Sequence, residues 1–172
     1  MSEIKLRNLE LKTFTEQDAI DYCSINNTNP DDITGLILNW NKLTDIIGIK
    51  VFKNIKELNL LDNELTNISV LKDLNKLETL TLNDNNIFDI SVLKDLNNLK
   101  ELNIGDNQIT DISTVKDLKN LIVLNIVNLE LESDQLQYIQ SLKKLKYLYC
   151  YKGFKDINIL KLLNKSMGII NK

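Results

Sequence analysis

The residues of this chain best suited to acid–base chemistry are its carboxylates, because its 172 residues include no histidine. Histidine is the commonest general base and metal ligand, so Ser–His, Cys–His and His–metal sites are excluded. The five glycines form no phosphate-binding loop of the dinucleotide or P-loop type. No pair of carboxylates stands out as an acid and a base. We therefore expect no enzymatic activity, no cofactor and no metal.

The composition is that of an ordinary soluble protein of one domain's size, with 43% apolar residues and a formal charge of −3. No run of about 18 apolar residues could span a membrane. The first residues lack the basic and then apolar layout of a secretory signal. We expect a cytoplasmic protein, or a secreted one if the natural chain begins further upstream.

Apolar residues recur with a period of 22 residues, which is the signature of a solenoid. In such a fold no repeat buries its apolar face alone, and neighbouring coils stack into one core. One coil carries Leu74, Leu77, Leu80, Leu82, Asn85, Ile87, Ile90 and Leu93; the coil before it carries Phe52, Ile55, Leu58, Leu60, Asn63, Leu65, Ile68 and Leu71; and the coil after it carries Leu96, Leu99, Leu102, Ile104, Asn107, Ile109, Ile112 and Val115.

The pattern Leu-x-x-Leu-x-Leu-x-x-Asn-x-Ile resembles a leucine-rich repeat. Its length and the Asp-Ile-Ser of residues 89–91 and 111–113 resemble the subtype found in internalins and in a regulator of protein phosphatases. The resemblance covers residues 33–155, about six coils. It implies an α/β solenoid with a curved parallel sheet on the concave side and short helical turns on the convex side.

The two ends of a solenoid need shielding from water, so we assign residues 1–32 to an N-terminal cap and 156–172 to a C-terminal capping helix and tail. In the first cap, Leu9 and Leu11 suggest an edge strand, and residues 15–24 suggest a helix capped by Thr15. A longer coil predicts a second helix within 133–142. Cys23 and Cys150 then lie at opposite ends, too far apart to bridge, and we expect them to be reduced.

One asparagine occupies the same place in four successive coils, where the chain turns out of the sheet: Asn41, Asn63, Asn85 and Asn107. An amide side chain both donates and accepts hydrogen bonds. A stacked row of amides can therefore satisfy the backbone groups at that corner. We interpret the row as structural.

Residues that alternate with the buried leucines face the concave side, and they predict a binding surface. The middle of this surface is acidic. One end carries Trp40 and the other end carries three tyrosines, and both residue types are enriched at binding hot spots. The predicted partner-binding residues are Trp40, Glu57, Asn59, Asp62, Thr81, Asp84, Glu101, Asn103, Asp106, Tyr147, Tyr149 and Tyr151.

Each part of this surface has an alternative explanation. Asp62, Asp84 and Asp106 precede the corner asparagine and could serve only the turn. The three tyrosines could be covered by the C-terminal helix, and Trp40 could pack on the N-terminal cap.

A non-catalytic, monomeric protein-binding module is the function that the sequence favours, with a protein partner that presents a basic or mixed patch. The resemblance also implies two alternatives, a surface adhesion repeat and a phosphatase-regulator adaptor. Nucleic acid is disfavoured because the face lacks clustered Lys or Arg for phosphate contacts, and we expect no membrane partner.

Overall fold

The structure, a computed structural model, describes residues 2–156 and consists of seven parallel strands in a single sheet. The strands follow one another in the sheet in the order of the sequence, which confirms the predicted α/β solenoid. The elements are β1 (Ser2–Lys5), α1 (Glu16–Ile25), β2 (Ile33–Ile37), β3 (Glu57–Asn59), β4 (Thr79–Thr81), β5 (Glu101–Asn103), β6 (Val123–Asn125), α2 (Leu136–Gln140) and β7 (Tyr147–Tyr149).

Short 3₁₀ turns return the chain from one strand to the next, as at Ser69–Asp73, Ser91–Asp95 and Ser113–Asp117. Asp-Ile-Ser begins the second and third of these returns, and Asn67-Ile68-Ser69 begins the first. The Asp89 carboxylate accepts a hydrogen bond of 2.8 Å from the backbone N–H of Ser91. A hydrogen bond from a backbone N–H to the side chain two residues earlier closes a tight turn before the helical segment.

The core is a set of stacked rows, because equivalent leucines of successive strands lie side by side. Leu58 pairs with Leu80 and Leu80 with Leu102 in the strand register, and all three are buried. Each buried leucine therefore packs against the coils before and after its own. The stability of one coil depends on its neighbours.

The asparagine row binds the backbone between coils, which confirms its structural interpretation. Asn85 Nδ2 donates to the carbonyls of Leu60 and Leu82, both at 3.0 Å. Asn85 Oδ1 accepts from the N–H of Leu65 at 3.0 Å. Asn63 makes the same bonds one coil earlier, to Leu38, Leu60 and Leu43. Each amide thus satisfies backbone groups of two coils at a buried corner.

The edge strand predicted at Leu9 and Leu11 is wrong: the strand is β1, and both leucines lie in the turn after it. Asn8 and Glu10 have positive φ angles of 57° and 54°, which end the extended backbone. The N-terminal segment is itself a coil of the stack. Its residues Ile4, Leu6, Leu11 and Phe14 have the spacing of Leu36, Leu38, Leu43 and Ile46 in the next coil.

In this first coil the return segment is α1, close to the helix predicted at 15–24. Thr15 and Asp18 form a reciprocal capping box at its start. Ala19 and Cys23, one turn apart on α1, are buried. The start of α1 lies against the return segment of the next coil at Gly48. A Cβ at Gly48 would lie only 2.1 Å from the Thr15 carbonyl oxygen.

The helix predicted within 133–142 begins as a 3₁₀ turn at Ser133–Gln135 and continues as α2. The predicted C-terminal capping helix and tail, from residue 157 on, lie outside the described residues. Both cysteines are buried, and burial raises the pKa of the Cys150 thiol to about 11. That thiol is therefore protonated and unreactive at neutral pH. Within residues 2–156, no helix has the length and apolar character needed to cross a membrane.

Candidate functional site

The candidate site is the face of the sheet opposite the buried leucines, which we call the concave face. The strand register arranges its side chains in rows that cross all the coils. One row holds Glu57, Thr79, Glu101, Val123 and Tyr147, and the next holds Asn59, Thr81, Asn103, Asn125 and Tyr149. The structure therefore brings the predicted residues onto one surface, with neighbours about 4.8 Å apart across the strands.

The middle of the concave face carries carboxylates without cationic partners. The ion pairs of residues 2–156 involve none of Glu57, Asp62, Asp84, Glu101 and Asp106. Asp106 accepts a hydrogen bond of 2.6 Å from Asn128. Within residues 2–156, no group of three or more carboxylates and thiols could hold a metal ion. The carboxylates thus present negative charge to whatever approaches the face.

Asp62, Asp84 and Asp106 lie just after the strands, and all three have left-handed backbone angles, with φ of 56°, 55° and 52°. Aspartate and asparagine tolerate this conformation better than other residues with a side chain. This geometry supports the alternative that the aspartates serve the turn. A role in the turn is compatible with a role in binding, because an aspartate with left-handed backbone angles still presents its charged side chain on the face.

Trp40 occupies the same left-handed position in the first repeat coil, with φ of 56°. A bulky residue is unfavourable there, at a cost of about 1 kcal/mol or more relative to aspartate or asparagine. The Trp40 side chain is 49% exposed. The residue thus fits neither the turn nor the core, and a role on the surface would explain it.

Tyrosines occupy the other end of the face, roughly 24 Å from Trp40 at the strand spacing. Tyr147 and Tyr151 are exposed and Tyr149 is half-buried. The Lys152 ammonium lies 5.6 Å from the centre of the Tyr151 ring. An aromatic surface is therefore available at this end of the described structure.

Sequence reasoning missed Glu3, because it assigned the N-terminal segment to a cap. In the register Glu3 lies beside Gly35, and Gly35 lies beside Glu57. Gly35 has no side chain, and a hollow of about 130 Å³ lies here, lined also by Thr79 and Thr81. The signal was present in the sequence, since Ile4-x-Leu6 has the spacing of Leu36-x-Leu38.

Two asparagines of the face, Asn39 and Asn83, were also missed as special positions. Both are more than nine-tenths buried, and the Oδ1 atom of each has no hydrogen-bond partner among the described residues. They flank Leu61 at the end of the strands, beside the aspartates. Their burial could not be read from the sequence, because both alternate with core leucines like the exposed residues of the face.

Replacing Asp84 with asparagine should stabilise the chain slightly at neutral pH. Burial, and then the neighbouring Asp106 and Asp62 carboxylates, raise the pKa of Asp84 above its ordinary 3.8. The folded state therefore binds this proton more tightly than the unfolded state, and stability falls as pH rises through the raised pKa. We expect Asp84→Asn to gain up to about 0.5 kcal/mol at neutral pH and nothing at a pH below 3.8. Urea denaturation at both pH values measures the difference.

Asp89→Asn is the matched control, because hydrogen bonds from Ser91 lower the pKa of Asp89. Its substitution should destabilise the chain at neutral pH, with the opposite sign to Asp84→Asn. A loss of stability in Asp84→Asn at neutral pH would contradict the prediction and show that the carboxylate makes a stabilising contact.

Comparison with known proteins agrees with this geometry. The family model described as "Leucine Rich repeats (2 copies)" matches residues 75–118. Among curated proteins, no sequence matches the chain at a significant level. Leucine-rich repeats are commonly protein-interaction modules and are generally non-catalytic scaffolds.

Solved structures resemble most of the chain. An internalin (inlF) of Listeria monocytogenes is similar with a TM-score of 0.75 and 26% identity, over 97% of this chain and 51% of the internalin. A leucine-rich-repeat protein of Leptospira interrogans has a TM-score of 0.65 and 24% identity, over 84% of this chain and 41% of its own. The ectodomain of the Arabidopsis receptor kinase HAESA, in complex with a peptide hormone, has a TM-score of 0.65 and 24% identity, over 81% and 24% of the two chains.

The chain spans about half the length of the internalin that it matches. The second and third likenesses support the fold alone, whereas the repeat length, the family model and the internalin agree on the type of repeat. The chain therefore has the leucine-rich-repeat fold, with a leucine-rich-repeat family match over residues 75–118 and repeats similar to those of an internalin.

Proposed function

We propose that the chain binds another protein on its concave face, and that the partner presents a basic segment flanked by apolar residues. The observation that carries this proposal is the pairing of an acidic middle without cationic partners and exposed aromatic residues at both ends. Charged groups on such a face mainly steer association and set its specificity. Desolvated Trp or Tyr side chains supply most of the affinity at typical interfaces.

Trp40 supports the proposal most directly, because it occupies a position where aspartate or asparagine would relieve the backbone. Backbone strain that a fold does not need is a reason to look for function. An extended segment is a suitable occupant, since a row of parallel strands offers a long, regular surface. The HAESA ectodomain, which has the same fold, was solved with a peptide hormone bound.

The experiment is selection of peptides from a random display library on the immobilised chain. We expect enrichment of peptides in which Lys or Arg stands beside apolar residues, and faster association of the selected peptides at low salt. Trp40→Asn should lower their affinity at least tenfold through faster dissociation, with unchanged or higher thermal stability, because asparagine fits the left-handed position. Tyr151→Ala should also accelerate dissociation. Surface plasmon resonance separates the two rates.

Glu57→Gln combined with Glu101→Gln should instead slow association and flatten its dependence on salt. Lys94→Ala with Lys116→Ala, both exposed on the convex side, is the matched control and should change neither rate. If the binding rates of the selected peptides change only in the Lys94→Ala and Lys116→Ala variant, the site lies on the convex surface and the proposal is contradicted.

A further inference from the structure

Strand β1 lies at the edge of the sheet that residues 2–156 form, and one side of its backbone faces outward. The N–H of Leu6 donates to the carbonyl of Ile37 in β2 at 2.8 Å, so Leu6 points inward. Successive residues of a strand direct their backbone groups to opposite sides, so those of Glu3 and Lys5 point away from β2. An edge of this kind is a template for pairing with another strand.

The side chains of β1 limit which strand can pair there. Glu3 and Lys5 are exposed on the concave face, with Ile4 buried between them. If a second β1 pairs antiparallel about a two-fold axis at Ile4, Glu3 of each copy lies opposite Lys5 of the other. Both are then hydrogen-bonded pairs of the ladder, because the outward backbone groups belong to these same two residues. The edge is thus complementary to itself in charge and in hydrogen bonding.

An apolar groove lies behind this edge, between the β1 coil and α1. It has a volume of about 250 Å³ and is lined mainly by Leu6, Leu9, Leu11, Tyr22 and Ile25. Leu9 is 54% exposed and Ile25 is 83% exposed. Asp18 and Asp21 at its rim accept hydrogen bonds from Thr15 and Gln17. Exposed apolar surface beside an open strand edge is a common feature of association sites.

We propose that the chain forms a two-fold dimer in which β1 pairs antiparallel with β1 of a second copy and the end coils, each with its groove, lie against each other. The pairing joins the two seven-stranded sheets, with both concave faces on the same side. The dimer does not rest on the proposed function: of the concave face it uses only Glu3 and Lys5 at the edge, and no residue of the predicted partner-binding set. It differs from the monomer expected from the sequence.

The test is sedimentation velocity of the full chain over a series of concentrations. The wild-type chain should shift from monomer to dimer as concentration rises. Glu3→Lys and Lys5→Glu should each raise the dimer dissociation constant about tenfold or more, because both cross-strand pairs become pairs of like charge. An equimolar mixture of the two variants should form a heterodimer, since it restores opposite charges across the axis. Lys94→Glu, the same change of charge on the convex side, should leave dimerisation unchanged.

The mixture separates pairing from a structural effect within one chain. Glu3 and Lys5 also form an ion pair of 2.9 Å in their own strand, and mixing cannot repair that pair. A wild-type chain that stays monomeric at every concentration would overturn the proposal. So would a dimer that tolerates Glu3→Lys and Lys5→Glu, or a mixture of these variants that does not associate.

Discussion

The Leu80→Asp chain should be largely unfolded. Leu80 is fully buried between Leu58 and Leu102 of the neighbouring coils. The change removes the apolar contacts of a buried leucine and places an unpaired carboxylate in the core, at a cost of about 5 kcal/mol or more. A typical domain has only about 5 to 15 kcal/mol of stability. Because coils stabilise one another, the loss should spread beyond one repeat. Far-UV circular dichroism during thermal denaturation measures it.

Thr81→Asp is the control for the faces of the strand. Thr81 is the next residue after Leu80, is half-buried on the concave face and lies beside Asn103. The same charge there should cost less than about 1 kcal/mol, because water and the neighbouring amide can solvate it. Equal melting temperatures for the two variants would show that the assignment of faces is incorrect.

Removing one amide of the asparagine row should have the second largest effect. In Asn85→Ala the Leu65 N–H and the carbonyls of Leu60 and Leu82 lose a partner at a buried corner. An unsatisfied buried polar group costs about 1 to 3 kcal/mol. We expect a loss of about 1 to 3 kcal/mol, because the Leu65 N–H is left without a partner, whereas the Leu60 and Leu82 carbonyls still accept from the amides of Asn63 and Asn107. Urea denaturation gives this value.

Asn86→Ala is the matched control, because Asn86 follows Asn85 and is exposed. Its substitution should change stability by no more than about 0.5 kcal/mol. If Asn85→Ala is as stable as Asn86→Ala, water replaces the amide and the row does not hold the coils together.

Much of the fold could be predicted from the sequence because a solenoid is built from local, repeated contacts. A residue such as Leu80 meets its equivalents one period away, so periodicity alone gives the strand register and the core. The asparagine row was predictable for the same reason. Its hydrogen bonds join backbone groups that recur in every coil, and the slot of Asn85 recurs with them.

The candidate face could be predicted in part. Alternation along each strand assigned Glu57, Glu101 and Tyr147 to one surface, and the register aligned them. The backbone angle of Trp40 could not be predicted from its type, because Trp rarely adopts a left-handed conformation. The coil imposes that angle, as it does on Asp62 and Asp84.

The sequence by itself determined the repeat, its register and the composition of the concave face, since all three depend on spacing along the chain. Only the tertiary structure decided how residues 2–32 join the stack. The first coil uses an α-helix as its return, so its distance to the next coil differs from the 22-residue period, and only the spacing from Ile4 to Phe14 matches the other coils. Because Ile4 and Phe14 pack against the next coil, Glu3 lies on the concave face and β1 lies at the edge of the described sheet. Both results depend on contacts between coils, which spacing within one coil does not report.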